Sequence, residues 1–214
     1  MPFHPKILAV IDTETTGLDA HRHTVLQYGM VRLFAGSLKY IGASRTNVRI
    51  STQDWQHADP EALKVNGITY EDTEDAPTRE QALDYMFSRN TPWSATQAVF
   101  WPPEFDLTFI KAEYARAGRE CPMPRRVLDV RSVCYAYDMA ASFGKPHAAY
   151  GLQEWMAAHE DLKRFDIPLD IPGHEHDALY DAFVTANALR RAVLALRELR
   201  FPPFRRPSTV EVSS

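Results

Sequence analysis

Ile7-Leu8-Ala9-Val10-Ile11-Asp12-Thr13-Glu14-Thr15-Thr16-Gly17-Leu18-Asp19 is the stretch on which the reading of this chain turns. Its first five residues are an unbroken apolar run, the pattern of a central strand covered on both faces. The run ends at Asp12, and Glu14 follows two positions on. Side chains two apart on a strand leave it on the same face, so Asp12 and Glu14 project together from the strand's end. Two carboxylates held this close repel each other unless a proton or a cation lies between them. Such a pair suits hard divalent cations such as Mg²⁺ or Mn²⁺. Gly17 permits a tight turn that brings backbone close to a ligand. A bare Asp-x-Glu is as readily a cap beside a solvated acid; the apolar strand before it and Thr-Thr-Gly after it favour a site.

Working outward, residues 24–34 and 38–50 are β-rich, with Gly36 and Ser37 as the turn between them. Asp59-Pro60-Glu61 reads as an N-cap, a proline at the first helical position and an early acid, with a stop near Asn66-Gly67. Thr78 with Gln81 forms a capping-box pattern for a helix through Arg89. A strand over 97–101 precedes a helix over 104–117, which puts Phe105, Phe109 and Ala112 on one face and Gly118 just past its end. A strand over 126–130 and helices over 131–141 and 151–159 follow. Residues 163–174, with Pro168, Pro172 and Gly173, are irregular. The last helix spans about 177–199, before Pro202-Pro203, which cannot continue it. Three strands followed by alternating helices and strands predict an α/β fold, a mixed sheet with helices on both faces. The expected organisation is one domain over residues 1–204 and a flexible tail over 205–214.

Composition agrees. A chain of 214 residues, 45% of them hydrophobic, fits one α/β domain with an ample core. The N-terminus lacks a signal-peptide pattern and no stretch is long enough to span a bilayer, so no membrane association is expected. The two cysteines, Cys121 and Cys134, have neither zinc-ligand spacing nor a disulfide framework; reduced thiols and a cytoplasmic location are the expectation. A net charge of −4 argues against a protein that coats nucleic acid. Six arginines and one glutamate between Arg190 and Arg206 leave two readings open, a local basic face for phosphates or a solvated helix face.

Two further constellations carry chemistry. Asp106 follows a strand and sits in the first turn of a helix, between Phe105 and Phe109, where an acid also complements the helix dipole. In His176-Asp177-Ala178-Leu179-Tyr180-Asp181-Ala182, His176 stands at the start of the last helix, five residues before Asp181. That separation is about 500° of helical rotation, which leaves the two side chains within about 140° of each other. A loop position for His176 would let it swing over the same site. Histidine is the side chain best suited to take a proton from water near neutral pH. His174 is near enough that residue chemistry alone leaves the choice between the two open.

Asp12-Thr13-Glu14-Thr15-Thr16-Gly17-Leu18, Phe105-Asp106-Leu107-Thr108-Phe109-Ile110 and His176-Asp177-Ala178-Leu179-Tyr180-Asp181-Ala182 resemble, in order and broad spacing, the three motifs of the DEDDh exonuclease family. That family includes the proofreading epsilon subunit of bacterial DNA polymerase III, ribonuclease T and oligoribonuclease. Asp59-Pro60-Glu61-Ala62-Leu63-Lys64-Val65-Asn66-Gly67-Ile68-Thr69 looks like the family's connecting helix. The resemblance implies an RNase H-like exonuclease fold with a central five-stranded sheet. It implies that Asp12, Glu14, Asp106 and Asp181 hold two divalent ions, Mg²⁺ or Mn²⁺, with His176 as general base. The family spacing selects His176 over His174. Thr15, Thr16, Gly17 and Leu18 are expected to meet the last nucleotide, with Val65, Asn66, Ile68 and Phe105 around its base; Trp55 and Trp101 are further stacking candidates, and core packing is the competing reading for Leu18, Val65 and Ile68 and the leading one for Phe105 and Trp101.

The implied activity is 3′–5′ exonucleolytic release of 5′-mononucleotides from single-stranded or frayed 3′ ends. DNA is slightly favoured, because Thr-Thr-Gly-Leu and Asn-Gly-Ile-Thr look most like proofreading-type enzymes. RNA trimming of the ribonuclease T or oligoribonuclease type is the alternative. A catalytically silent polymerase accessory subunit is disfavoured by the presence of all four acids and the histidine. The implied partners are nucleic-acid 3′ ends, with a polymerase or another replication or repair protein left open. The chain departs from the family twice: Trp101 and Pro102 replace a His-Asn pair, and Asn66 replaces a histidine.

Overall fold

In the computed structural model, which describes residues 5–88, 91–141, 151–169 and 173–199, the apolar run opens the central strand of a five-stranded sheet. β1 (Ile7–Thr15) pairs antiparallel with β2 (Val25–Phe34), which pairs antiparallel with β3 (Tyr40–Asn47). On its other side β1 runs parallel to β4 (Thr96–Phe100), and β4 to β5 (Leu128–Asp129). The order β3-β2-β1-β4-β5 makes the sheet mixed, as expected. The α-helices among the described residues are α1 (Thr52–Gln56), α2 (Pro60–Asn66), α3 (Glu71–Glu74), α4 (Arg79–Leu83), α5 (Pro103–Arg116), α6 (Val130–Ala141), α7 (Leu152–Ala158) and α8 (Ala178–Glu198).

Strand alternation sorts the core into two layers. From β1, Leu8 and Val10 join Val31, Leu33, Phe183, Ala186 and Leu189 on the α8 face. Ala9 and Ile11 join Met30, Phe87, Phe109 and Ile110 on the α5 face. Each fully buried aliphatic side chain contributes about 1.5–3 kcal/mol of transfer free energy. Helices on both faces explain why 7–11 is apolar at every position rather than alternately.

Several boundaries differ from expectation. α1 and α3 were not foreseen, since four or five residues are too few to establish a period. The Thr78–Gln81 capping box is present, but beyond Leu83 the helix widens into a π-turn over Asp84–Ser88; Arg89 lies outside the described residues, as does the tail 205–214. β3 starts later than 38 because Leu38 adopts φ 57, putting its side chain into the core. That buried anchor is the left-handed residue of the turn. The strand at 126–130 shrinks to two paired residues, and Val130 already belongs to α6.

The arginine-rich end of α8 does not form a basic face at Arg190 and Arg191. Arg191 is 2% exposed. It grips Asp166 through two bonds of 2.7 Å and donates to the carbonyls of Met156 and His159. Arg190 donates to the carbonyls of Phe165 and Leu38. A long side chain beside irregular backbone satisfies carbonyls that have no helical or sheet partner. Arg200, Arg205 and Arg206 lie outside the described residues.

What sets the active end of the molecule is the seat of α8 on the sheet. Gly29 of β2 shares the α8 face with Val31, and a Cβ there would stand 2.1 Å from the Ala178 carbonyl oxygen. The Ala178 amide donates to Gln27 Oε1 at 2.9 Å, so the helix's first turn is bonded to the sheet. Asp177 caps the helix by accepting from Leu179 and Tyr180, and Arg45 of β3 holds its other oxygen at 2.5 Å. Gly29→Ala forces backbone apart, and urea denaturation should show a loss of about 3 kcal/mol or more, above the usual overpacking range. An unchanged midpoint would show that α8 is not seated by this contact.

Candidate active site

Asp12 and Glu14 are even-numbered β1 positions, so they leave the strand on the same face as Leu8 and Val10, towards α8. Thr13 points the other way, towards α5. There its amide and hydroxyl both donate to Asp106 Oδ1, at 2.9 and 2.8 Å. This pair of bonds draws Asp106, 3% exposed in the first turn of α5, against the strand end.

The third element comes from α8. Asp181 lies in its first turn and accepts from the His176 amide at 2.9 Å. His176 is not part of the helix; it precedes the Asp177 cap and holds φ 67. A β-carbon residue in the left-handed region is uncommon, and here the hydrogen bond to Asp181 stabilises it. The loop position puts a His176 ring nitrogen and one oxygen each of Glu14 and Asp181 within 4.8 Å of one another. His174, by contrast, is exposed and turns its Nδ1 to the neighbouring Glu175 carbonyl.

The acids are crowded and short of counter-charge. Burial pushes Glu14 up to about 9, with Asp181, Asp106 and Asp177 adding repulsion. Asp12 is raised well above the usual carboxylate range by burial and by Asp106, Glu14, Asp181 and Asp177. Asp106 is raised by burial to about 7 although the Thr13 bonds pull it down. Burial also raises Asp181, against the bond and charge of His176. Hard oxygen donors packed this way, with acids from three separate elements, are the donor set for divalent cations.

Two clefts border the cluster. One, of about 290 Å³, is lined by Glu14, Thr15, Leu18, Val65, Asn66 and Phe105. Leu18 is 80% and Val65 53% exposed, so these apolar groups face the cleft. Phe105 packs tilted on Phe109 at 4.9 Å. The other cleft, of about 350 Å³, contains Asp12, His176 and Asp181 with Trp101. Thr16 and Asn66 turn inward. Thr16 accepts from the Thr24 amide, while the Asn66 amide bridges the Thr15 carbonyl and the Ile68 N–H. Gly17 is needed for a reason other than turn geometry: a Cβ there would meet the His23 ring at 2.6 Å. Ile68 lines a separate polar recess with Arg45 and His174, and Trp55 rests against Tyr70 at 5.6 Å. Sequence reasoning missed Gly29, Gln27, Arg45 and Thr13. Only Gly29 carries a signal, since a glycine inside a strand marks close backbone approach.

Residues 9–189 match the family model described as Exonuclease (RNase_T). Over 119 residues the chain is 31% identical to the DNA polymerase III subunit epsilon of Haemophilus influenzae, covering 53% of this chain and 43% of that protein. The chain thus spans less than half the length of that curated relative. The nuclease domain of 3′hExo, a DEDDh family member solved with rAMP, superposes with a TM-score of 0.68 at 17% identity, over 94% of this chain and 98% of that one. Escherichia coli Exonuclease I in complex with an oligonucleotide gives 0.70 at 17%, over 91% and 42%. Exonuclease X with 5′-overhanging duplex DNA gives 0.63 at 20%, over 88% and 92%. With the family model matched across nearly the whole sheet and all three acidic motifs in place, the chain belongs to the exonuclease family.

Proposed function

We propose that this chain is a 3′–5′ exonuclease, one exonuclease domain over residues 1–204, that removes 5′-mononucleotides from single-stranded or frayed 3′ ends. The observation that carries the reading is the convergence of Glu14, His176 and Asp181 within 4.8 Å, beside Asp12 and the Thr13-anchored Asp106. Asp12, Glu14, Asp106 and Asp181 would hold two Mg²⁺ or Mn²⁺ ions. Such ions, when bound, stabilise charge on both the attacking and the leaving oxygens of the phosphodiester. His176 takes the proton of the attacking water, the role its exposed ring and its place beside Asp181 allow. The phosphodiester opens in line and the 3′ oxygen of the penultimate nucleotide leaves. The last nucleotide lies in the cleft of Leu18, Val65 and Phe105, with Thr15 and the Gly17 backbone at its sugar. Thr16 and Asn66 act on it through the backbone they hold.

DNA is the substrate we favour, supported by the likeness to the epsilon subunit and by the Thr-Thr-Gly-Leu segment. The same relative supports a replication or repair setting in the cytoplasm, with a polymerase as the partner class. None of the described helices is long and apolar enough to cross a membrane.

Asp12→Ala or Asp181→Ala should abolish mononucleotide release from a 5′-labelled single-stranded oligomer, with the circular dichroism spectrum retained; unchanged cleavage by both would refute the site. His176→Ala should lose roughly 10²–10⁴-fold in kcat with divalent-ion binding by calorimetry largely retained. Normal turnover would point to another base. On matched oligomers DNA should be degraded faster than RNA, and the reverse order would select the RNA-trimming alternative. Finally, folded Glu14 and Asp106 bind protons more tightly than in the unfolded chain, at about 9 and about 7 against 4.5 and 3.8. Their contribution is therefore full below pH 3.8 and is lost progressively as pH rises from there, through about 7 for Asp106 and about 9 for Glu14. In a chelator, Tm should fall across that window, and added Mg²⁺ should raise it most at the alkaline end. A Mg²⁺ effect independent of pH would exclude these acids as its cause.

A further inference from the structure

We propose that Trp101 is the stacking platform for the nucleobase immediately 5′ of the scissile phosphate, and so selects ends whose penultimate base is unpaired. The proposal rests on the exonuclease reading above. Three observations carry it.

The first is position. The cation cluster borders two clefts. The one beside Glu14 takes the terminal nucleotide; the other is formed by Asp12, His176 and Asp181 together with Trp101, Leu152 and Gln153. A strand whose last phosphodiester lies on the carboxylates must place its penultimate nucleotide on the far side of them from the terminal one.

The second is the state of the indole. Trp155 donates its Nε1–H to Asp138, Trp93 donates to the Phe87 carbonyl, and Trp55 rests against Tyr70. Among the described residues Trp101 has no ring partner and its Nε1–H no acceptor. The side chain packs against the core layer beneath α8, is only partly buried and lines the cleft. A partly exposed tryptophan with its polar edge unused and no ring partner presents what an unstacked base requires.

The third is rigidity. Trp101 precedes Pro102, which is extended at φ −76 and ψ 167, and Pro103 opens α5. A residue before proline is biased to extended backbone, so the double proline restricts the Trp101 backbone just past the end of β4. Glu154 and Glu175 also line this cleft. Their charge disfavours a phosphate there and favours a neutral base, with the Gln153 amide at hand for its edge.

The test uses the full chain with Mg²⁺ and two 5′-labelled single-stranded DNA oligomers, identical except that one is abasic at the penultimate position. Wild type should show a KM roughly tenfold higher on the abasic oligomer, the size expected for one lost stacking contact. Trp101→Ala should raise KM on the intact oligomer by a similar factor, with kcat changed by less than about threefold and with Trp101→Phe recovering most of the loss. The gap between wild type and Trp101→Ala should close on the abasic oligomer. Should Trp101→Ala fold poorly, the wild-type comparison and Trp101→Phe still decide. Wild type that ignores the penultimate base, or a Trp101→Ala defect equal on both oligomers, overturns the role of Trp101 alone. Wild type that releases no mononucleotide from either oligomer overturns the exonuclease reading, and the proposal with it.

Discussion

The first turn of α8 lies on the sheet only because position 29 has no side chain: the Ala178 carbonyl oxygen stands 2.1 Å from where a Cβ would be. That approach lets Gln27 bond the Ala178 amide and brings the Asp177 cap within reach of Arg45. Asp181 then falls beside Glu14, and the chain entering the helix has to bend through the left-handed residue His176. Asp181 and the base are thus placed by backbone-to-backbone packing, which tolerates less play than contact between long side chains.

The cluster so formed opposes folding. Buried carboxylates with like-charged neighbours destabilise the native state unless protonated or bridged by cations, and every influence on Asp12 raises its pKa. The chain tolerates this because strand alternation divides the anchoring. Thr13 ties Asp106 down from the α5 face while Asp12 and Glu14 leave towards α8. Repulsion that would otherwise splay the strand end is resisted from both layers of the core. The same crowding gives the site its use, since it favours bound cations over an empty cage.

The loop that presents Leu18 is held just as deliberately. Glu113 of α5, fully buried, accepts from the Thr24 hydroxyl, from Arg79 at 2.5 Å and from Arg116, which also donates to the Ala20 carbonyl. A buried carboxylate between two guanidiniums is costly to disrupt, because removing one partner leaves an uncompensated charge. Thr16 and Thr24 exchange backbone and side-chain bonds across the loop, and Gly17 lies flush against His23. Leu18 can therefore stand 80% exposed without being loose.

Much of this was legible in the amino-acid order. The unbroken run 7–11 announced a strand covered on both sides, the spacing of Asp12 and Glu14 their shared face, and Asp59-Pro60 with Gly67 the bounds of α2. Those are local properties, fixed by strand and helix periodicity and by capping chemistry that neighbours in sequence supply. Other features were not legible: the burial of Arg191 and the carbonyl bonds of Arg190, the inward turn of Asn66, the left-handed Leu38, and the seat of α8 on Gly29. Each depends on a group distant in sequence that offers a carbonyl, a cavity or a bare Cα. By itself the sequence determined which acids were available and which way two of them faced. Only the tertiary structure decided that they meet, because a separation of a few ångströms between β1, α5 and α8 is set by side-chain volumes in the two core layers, which no local pattern records.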